Sequence, residues 1–340
     1  MDVRLQECVV KISDSMKLLI KCFVLCLCVP FFAKAQSLSE PRWAVVDVSV
    51  CNLRLKPSYE SSNETQALMG TVVQVLDADR YWRKVSTPDP YVAWVNDMAL
   101  TYMDTKQKDE YIASPKWICI SEQEYVYSQP DTDSERVCDI CLGDLLRKGE
   151  TMKRDWLEVV LPSGKKGWVR ATSLEDFEKW NASRVLDGQA LVSAAMKFRG
   201  APYVWGGISP RGFDCSGLVK FAYMQCGVLL PRNAREQVFC GQMVPAKVEA
   251  MMPGDLLFYG SKAQSGNPAR ITHVAMYIGD GKIIHSSQRV RVCSLDPEGE
   301  DPYTREIIAV RRIIGHVDTG EGVVSISESP WYFSLDASER

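Results

Sequence analysis

Over its first half the chain alternates short apolar runs with clusters of turn residues. "TVVQVLD" (Thr71 to Asp77) and "LEVVLP" (Leu157 to Pro162) are such runs, broken by Pro, Gly and Asp. This pattern predicts short strands of a small all-β domain. The pattern also repeats. "WRKVSTPDPYVAWV" (Trp82 to Val95) and "WLEVVLPSGKKGWV" (Trp156 to Val169) share W-x-x-V-x-x-P-x-x-x-x-x-W-V, with Trp156 lying 74 positions after Trp82. Upstream, "LRLKPS" at Leu53 pairs with "VYSQPD" at Val126, and Gly70 with Gly143. Self-similarity of this length predicts two copies of one small β domain, at 36–108 and 109–178. Their tryptophans are expected in the cores.

The periodicity then changes to that of a helix. In "DGQALVSAAMKFRG" the apolar residues Ala190, Leu191, Ala194, Ala195 and Phe198 recur at helical spacing, and Gly200 is a stop signal. "APYVWGG" follows as a loop able to line a site. "GFDCSGLVKFAYMQCG" continues as an amphipathic helix ending near Gly227. "ITHVAMYIGDGKIIHSS" alternates around a Gly-Asp-Gly tip and predicts a hairpin with strands near 272–278 and 282–288. These elements mark a third domain at 185–316. The tail, 317–340, is polar apart from Trp331, Tyr332 and Phe333, which are expected to pin it to the body.

Composition narrows the class. With 340 residues and a net charge of -3, the chain carries no basic excess for nucleic acid. Positive charge from Lys17 to Lys21, the apolar run Cys22 to Phe32 and the small residues of "AKA" (Ala33 to Ala35) have the form of a secretory signal peptide, residues 1–35. The run is too short to span a bilayer comfortably. The mature chain is therefore expected to be exported, periplasmic or secreted, without stable membrane insertion, and monomeric. Of twelve cysteines, eight follow residue 35, and their spacings form no regular framework. Cys138 and Cys141 make a lone C-x-x-C with no second ligand pair, so no zinc site is expected. The sequence has no H-E-x-x-H and no P-loop, and neither metal nor organic cofactor is expected.

One cysteine stands apart. Cys215 lies between Asp214 and a Ser216-Gly217 pair at the start of the predicted helix. Helix N–H groups and the dipole there favour a thiolate, the nucleophilic form, and offer donors to an oxyanion. The Ser-Gly pair is expected to let the backbone approach a scissile carbonyl. A cysteine nucleophile needs a base, and the chain has only His273, His285 and His316. A two-residue Asp-Gly turn would put His273 and His285 on opposite faces of the hairpin. A three-residue or bulged tip puts them on the same face, as a working Cys–His–His set requires. His316 has no partner by spacing.

"FDCSGLV", "PGDLLFYG" (Pro253 to Gly260) and "THVAMYIGDGKIIHS" resemble the three blocks of the NlpC/p60-type cell-wall cysteine peptidases, across roughly Asp187 to Gly315. "CNLRLKPS" and the two Trp motifs resemble bacterial SH3-like domains. The resemblance implies a minimal papain-like α+β domain preceded by two small all-β SH3-like barrels. It implies Cys215 as nucleophile, His273 as general base and acid, and His285 as the polar orienter. Barrels before such a domain are similar to the γ-D-glutamyl-L-diamino acid peptidases, also called dipeptidyl-peptidase VI. The implied partners are murein peptides, cut after L-Ala-γ-D-Glu and before meso-diaminopimelate or L-Lys. In that group a free L-Ala amine is recognised by acidic and tyrosyl groups. A buried ammonium must be paired with a carboxylate. Asp214 is the first candidate, Tyr91 the second, and Glu64 or Glu60 a further carboxylate. Ser216 and Arg232 are candidates to hold substrate carbonyl or carboxylate groups, and Asp255 is expected to be structural. The alternatives are an endopeptidase or amidase acting on intact peptidoglycan, and a non-catalytic wall-binding protein.

Overall fold

Apolar residues at alternate positions bury one face of each strand of the first sheet. Ala44, Val46, Cys51, Leu53, Val73, Val75, Val85, Ala93 and Val95 form its core. The computed structural model describes residues 42–264 and 269–334. The expected signal peptide lies outside the described residues. The first domain comprises β1 (Arg42–Val46), β2 (Val50–Arg54), β3 (Asn63–Leu68), β4 (Val72–Asp79), β5 (Trp82–Ser86), β6 (Val92–Asn96) and β7 (Leu100–Met103), in sheet order β3-β2-β6-β5-β4-β1-β7.

The second comprises β8 (Lys116–Cys119), β9 (Glu124–Tyr127), β10 (Arg136–Ile140), β11 (Leu145–Lys153), β12 (Trp156–Val160), β13 (Lys166–Arg170) and β14 (Leu174–Asp176). Its order is β10-β9-β13-β12-β11-β8-β14, strand for strand that of the first. Of the repeated tryptophans, Trp82 and Trp168 are buried, and Trp94 and Trp156 half-buried. Two helices absent from the patterning join the domains. They are α1 (Thr105–Ala113), whose capping box is closed by Asp104 and Gln107, and α2 (Phe177–Ala182), capped by Asp176.

The third domain opens with α3 (Gly188–Met196), whose N-cap Asp187 accepts from Ala190 N. A short hairpin, β15 (Ile208–Ser209) and β16 (Gly212–Phe213), leads into α4 (Cys215–Gln225). After β17 (Val228–Leu229) and α5 (Ala234–Gln237) comes a six-stranded antiparallel sheet. Its strands are β18 (Gln242–Val244), β19 (Leu256–Ser261), β20 (Arg270–Gly279), β21 (Lys282–Ser287), β22 (Arg289–Ser294) and β23 (Ile307–Arg312), ordered β18-β23-β19-β20-β21-β22. Leu218, Val219, Phe221 and Ala222 of α4 share a buried cluster with Phe258, Val274, Met276 and Ile284 of that sheet. Asp255 pairs with Arg312 (2.7 and 2.8 Å) and is structural, as expected.

The domains are tied together by polar groups out of water. Asp144 of the second domain accepts from Ser49 Oγ (2.8 Å) and Met69 N (3.0 Å) of the first, and from Cys141 N (2.8 Å). Lys220 Nζ on α4 lies 3.0 Å from Asp89 Oδ2 of the first domain and donates to Leu230 O (2.6 Å). The tail closes the assembly. Its strand β24 (Val324–Ser325) pairs with β17, Trp331 meets Trp43 edge-on at 5.3 Å, and Phe333 stacks on Phe177 at 5.2 Å. Removing one member of a buried ion pair strands the other. Asp89→Ala is therefore expected to lower stability by about 3 kcal/mol, and Asp89→Ala/Lys220→Met to recover most of it. Chemical denaturation of both variants checks this, and equal losses in the two would show that the pair is not the cause.

Candidate active site

Asp214 sets the start of α4. Its Oδ1 accepts from Gly217 N (2.7 Å), satisfying a first-turn donor. Gly217 is needed for another reason. A Cβ there would lie 1.9 Å from the carbonyl oxygen of Gly207. The Ser-Gly pair thus admits a neighbouring loop of this chain, where sequence reasoning expected it to admit a substrate carbonyl.

Burial and Asp214 oppose the thiolate form expected of Cys215 from its helix terminus. Burial pushes its pKa up to about 11, and the negative charge of Asp214 adds to this. The N–H groups of Val274 and Ser216 and the charge of Arg232 act the other way and lose. The resting group is S–H, and a thiolate requires transfer of the proton to a base. Val274, whose N–H faces this sulfur, is the residue after His273, so the β20 strand brings the base to the nucleophile.

The hairpin meets its geometric demand in an unexpected combination. The turn is a two-residue one. Asp280 (φ 51°) and Gly281 (φ 65°) link the pair Gly279↔Lys282, both in the left-handed conformation of a type I′ turn. Alone, this would separate the histidines. A bulge at Ile278 restores the register, so that Tyr277 pairs with Ile283 and Met276 with Ile284. His273 and His285 then share a face, with His273 Nε2 and His285 Nδ1 2.8 Å apart. Burial, the neighbouring His285 and Arg305 push His273 down to about 3. Burial and Arg291 push His285 down to about 4. Both rings are neutral at pH 7. With Nε2 engaged by His285, Nδ1 is the remaining acceptor of His273. His316 lies in a turn after β23, away from this set.

Around the nucleophile the first domain supplies a wall. Arg232, 1 % exposed, pairs with Asp214 through Nη2–Oδ2 and Nη1–Oδ1. It also donates to Ser216 Oγ (3.0 Å) and, across the domain boundary, to Thr65 Oγ1 (2.8 Å). Asn63 donates to Trp205 O (3.1 Å), and Gln66 Oε1 accepts from Ile208 N and Ser209 Oγ (3.0 Å each). Beside this cluster Tyr91 donates to Glu64 Oε2 (3.2 Å), while Glu60 stays exposed on its loop.

Three sequence assignments change as a result. Arg232 and Ser216 are interior, with polar atoms consumed by each other and by Asp214, so neither reaches a substrate carboxylate or carbonyl. Asp214 is first a helix cap and the partner of Arg232. It also accepts from Gly206 N (3.0 Å), which leaves Glu64 as the carboxylate not neutralised by an arginine. Sequence reasoning missed Tyr203 and Tyr303. The Tyr203 phenol is raised to about 12, by burial first and then by the charges of Cys215 and Asp214. Tyr303 packs edge-on against His285 at 4.5 Å. The aromatic "APYVWGG" loop signalled Tyr203, and no motif in the sequence signalled Tyr303.

Residues 200–312 match the NlpC/P60 family, and residues 53–100 match the bacterial dipeptidyl-peptidase SH3 domain. A γ-D-glutamyl-L-lysine dipeptidyl-peptidase of Bacillus cereus is 30 % identical over 264 residues, 74 % of this chain and 75 % of that one. The chain belongs to the NlpC/P60 family. It is a cysteine peptidase of that family. The dipeptidyl-peptidase 6 of Lysinibacillus sphaericus is 27 % identical over 80 % of this chain and 98 % of its own. The crystal structure of an NlpC/P60 family protein from Bacillus cereus superposes with a TM-score of 0.68 at 25 % identity, over 80 % of this chain and 99 % of that one.

The two buried imidazoles make the NlpC/P60 domain acid-sensitive. Below the ordinary histidine pKa the unfolded chain binds protons that the folded site refuses until about pH 3 for His273 and about 4 for His285. Stability contributed by the neutral rings is therefore present above about pH 6.5 and falls as the pH drops, by about 2 kcal/mol per ring near pH 5. His285→Gln is expected to lose less stability than the parent between about pH 7 and pH 5. Denaturant titrations at the two pH values check this, and parallel losses would show that His285 is not held neutral.

Proposed function

We propose that the protein hydrolyses the bond between γ-D-Glu and the diamino acid in murein peptides with a free N-terminal L-Ala. The observation that carries this reading is the Glu64–Tyr91 pair of the first domain, set beside the nucleophile's own Asp214–Arg232 pair. Asp214 is balanced by Arg232, so Glu64 supplies the surplus negative charge that an ammonium needs. The dipeptidyl-peptidase relatives, named for γ-D-glutamyl-L-lysine cleavage, support the same bond. Cys215 gives its proton to His273 Nδ1, and the thiolate attacks the γ-carbonyl. The backbone N–H of Cys215 holds the oxyanion. The His273 imidazolium protonates the leaving amine, and the C–N bond breaks. The same ring then takes a proton from water, the hydroxide adds to the thioester carbon, and the C–S bond breaks, releasing L-Ala-γ-D-Glu while the ring returns its proton to the sulfur. In this reading the N-terminal segment directs export, the enzyme works as a monomer outside the cytoplasm, and its task is recycling or turnover of wall peptides.

Two pairs of tripeptides test the proposal: L-Ala-γ-D-Glu-L-Lys and L-Ala-γ-D-Glu-meso-diaminopimelate, each with and without an N-acetyl group. The unblocked peptides should release L-Ala-γ-D-Glu, the acetylated ones at least about 100-fold more slowly, and Cys215→Ala none. Glu64→Gln should raise KM about tenfold with kcat retained. Equal cleavage of blocked and free peptides would remove the amine from the reading. Cleavage of none would overturn the substrate and direct attention to intact peptidoglycan.

A further inference from the structure

We propose that Cys293 is a positioning residue of the peptidase, whose sulfur accepts the Nε2–H of His285 and so fixes the tautomers of both histidines. The inference rests on the catalytic set above and extends it by one side chain. Cys293 lies on β22 opposite Ile283 of β21, which places it diagonal to His285 on the same face of the sheet. It is 1 % exposed, and His285 is fully buried. The sulfur is 3.3 Å from His285 Nε2 and 3.5 Å from Asp301 Oδ2. Among the described residues no other hydrogen-bond partner of His285 Nε2 is found. Tyr303 packs edge-on against the same ring.

The direction of these bonds follows from Asp301. A carboxylate can only accept, so the Cys293 S–H must donate to it. Arg291 Nη1 lies 3.3 Å from the same Asp301 Oδ2. Burial holds the Cys293 thiol near 11, so it has a proton to give. The sulfur is then left with lone pairs, and His285 must present Nε2–H to it. His285 Nδ1 is consequently an acceptor and takes the Nε2–H of His273. His273 Nδ1 is left bare toward Cys215, the only tautomer that can receive its proton. Reversing any one bond would place a hydrogen on His273 Nδ1 and block the base. No proton moves beyond His273. The Cys293–Asp301 pair only orients.

The chain has three histidines, so their ring nitrogens can be read directly by NMR of protein labelled with 15N-histidine, His316→Gln assigning the third. Parent protein should show Nε2–H alone on both His273 and His285. This measurement needs no substrate, so it stands or falls separately from the choice of murein peptide. Cys293→Val, close in volume but unable to accept, should give His285 a Nδ1–H population and lower kcat about tenfold at unchanged KM. Cys293→Ser should restore both the tautomer pattern and the rate. A parent His285 protonated on Nδ1 would overturn the proposal without recourse to any variant. So would a Cys293→Val protein that keeps the parent tautomers and full kcat.

Discussion

The buried pair of Asp214 and Arg232 is the interaction on which the rest of the site depends. Asp214 caps the nucleophile's helix, and Arg232 neutralises it in a place where neither charge meets water. Because the guanidinium also donates to Thr65, the same pair bonds the first β domain to the peptidase domain. Burial of an ion pair is tolerated only when its remaining hydrogen bonds are met. Here Gly206 N, Gly217 N and Ser216 Oγ meet those of the carboxylate. Cap, domain docking and the electrostatics of Cys215 are therefore one arrangement, and a change in any member is felt by the others.

That arrangement leaves the thiol protonated. The helix terminus helps, but burial and the adjacent carboxylate outweigh it. The chemistry thus depends on a neutral, correctly oriented imidazole, and a β-bulge of one residue supplies the orientation. Without the extra residue at Ile278, His273 and His285 would face opposite sides of the sheet. The first domain, which carries the Glu64–Tyr91 pair, is docked on the peptidase domain through Asn63, Thr65 and Gln66 and does not hang at the end of a tether.

Much was legible in the chain. The repeated Trp motifs announced two β domains, whose strand orders coincide. Helical spacing from Ala190 to Phe198 and the hairpin around Gly279 to Gly281 placed the elements of the third domain. Cys215, His273 and His285 stood out because local signals mark them: a cap before a helix and two histidines about one turn. The helices α1 and α2 carry local caps, at Asp104 and Asp176, that the apolar pattern alone did not reveal. The docking of Asn63, Thr65 and Gln66 and the burial of Arg232 left no such mark. Each depends on partners far along the chain.

The sequence by itself determined many of the strands, the two longer helices of the third domain and the candidate reacting groups, because period, caps and turn residues act between near neighbours. Only the tertiary structure decided which groups are free. Arg232 and Ser216 looked available to a ligand and are spent inside, while Glu64 remained ambiguous with Glu60 until Tyr91 reached it. Cys293 belongs to no motif in the sequence, and only the sheet sets it against His285 and Asp301. Desolvation and pairing across domains have no period along the chain, and they set both the protonation of Cys215 and the partners of every charge around it.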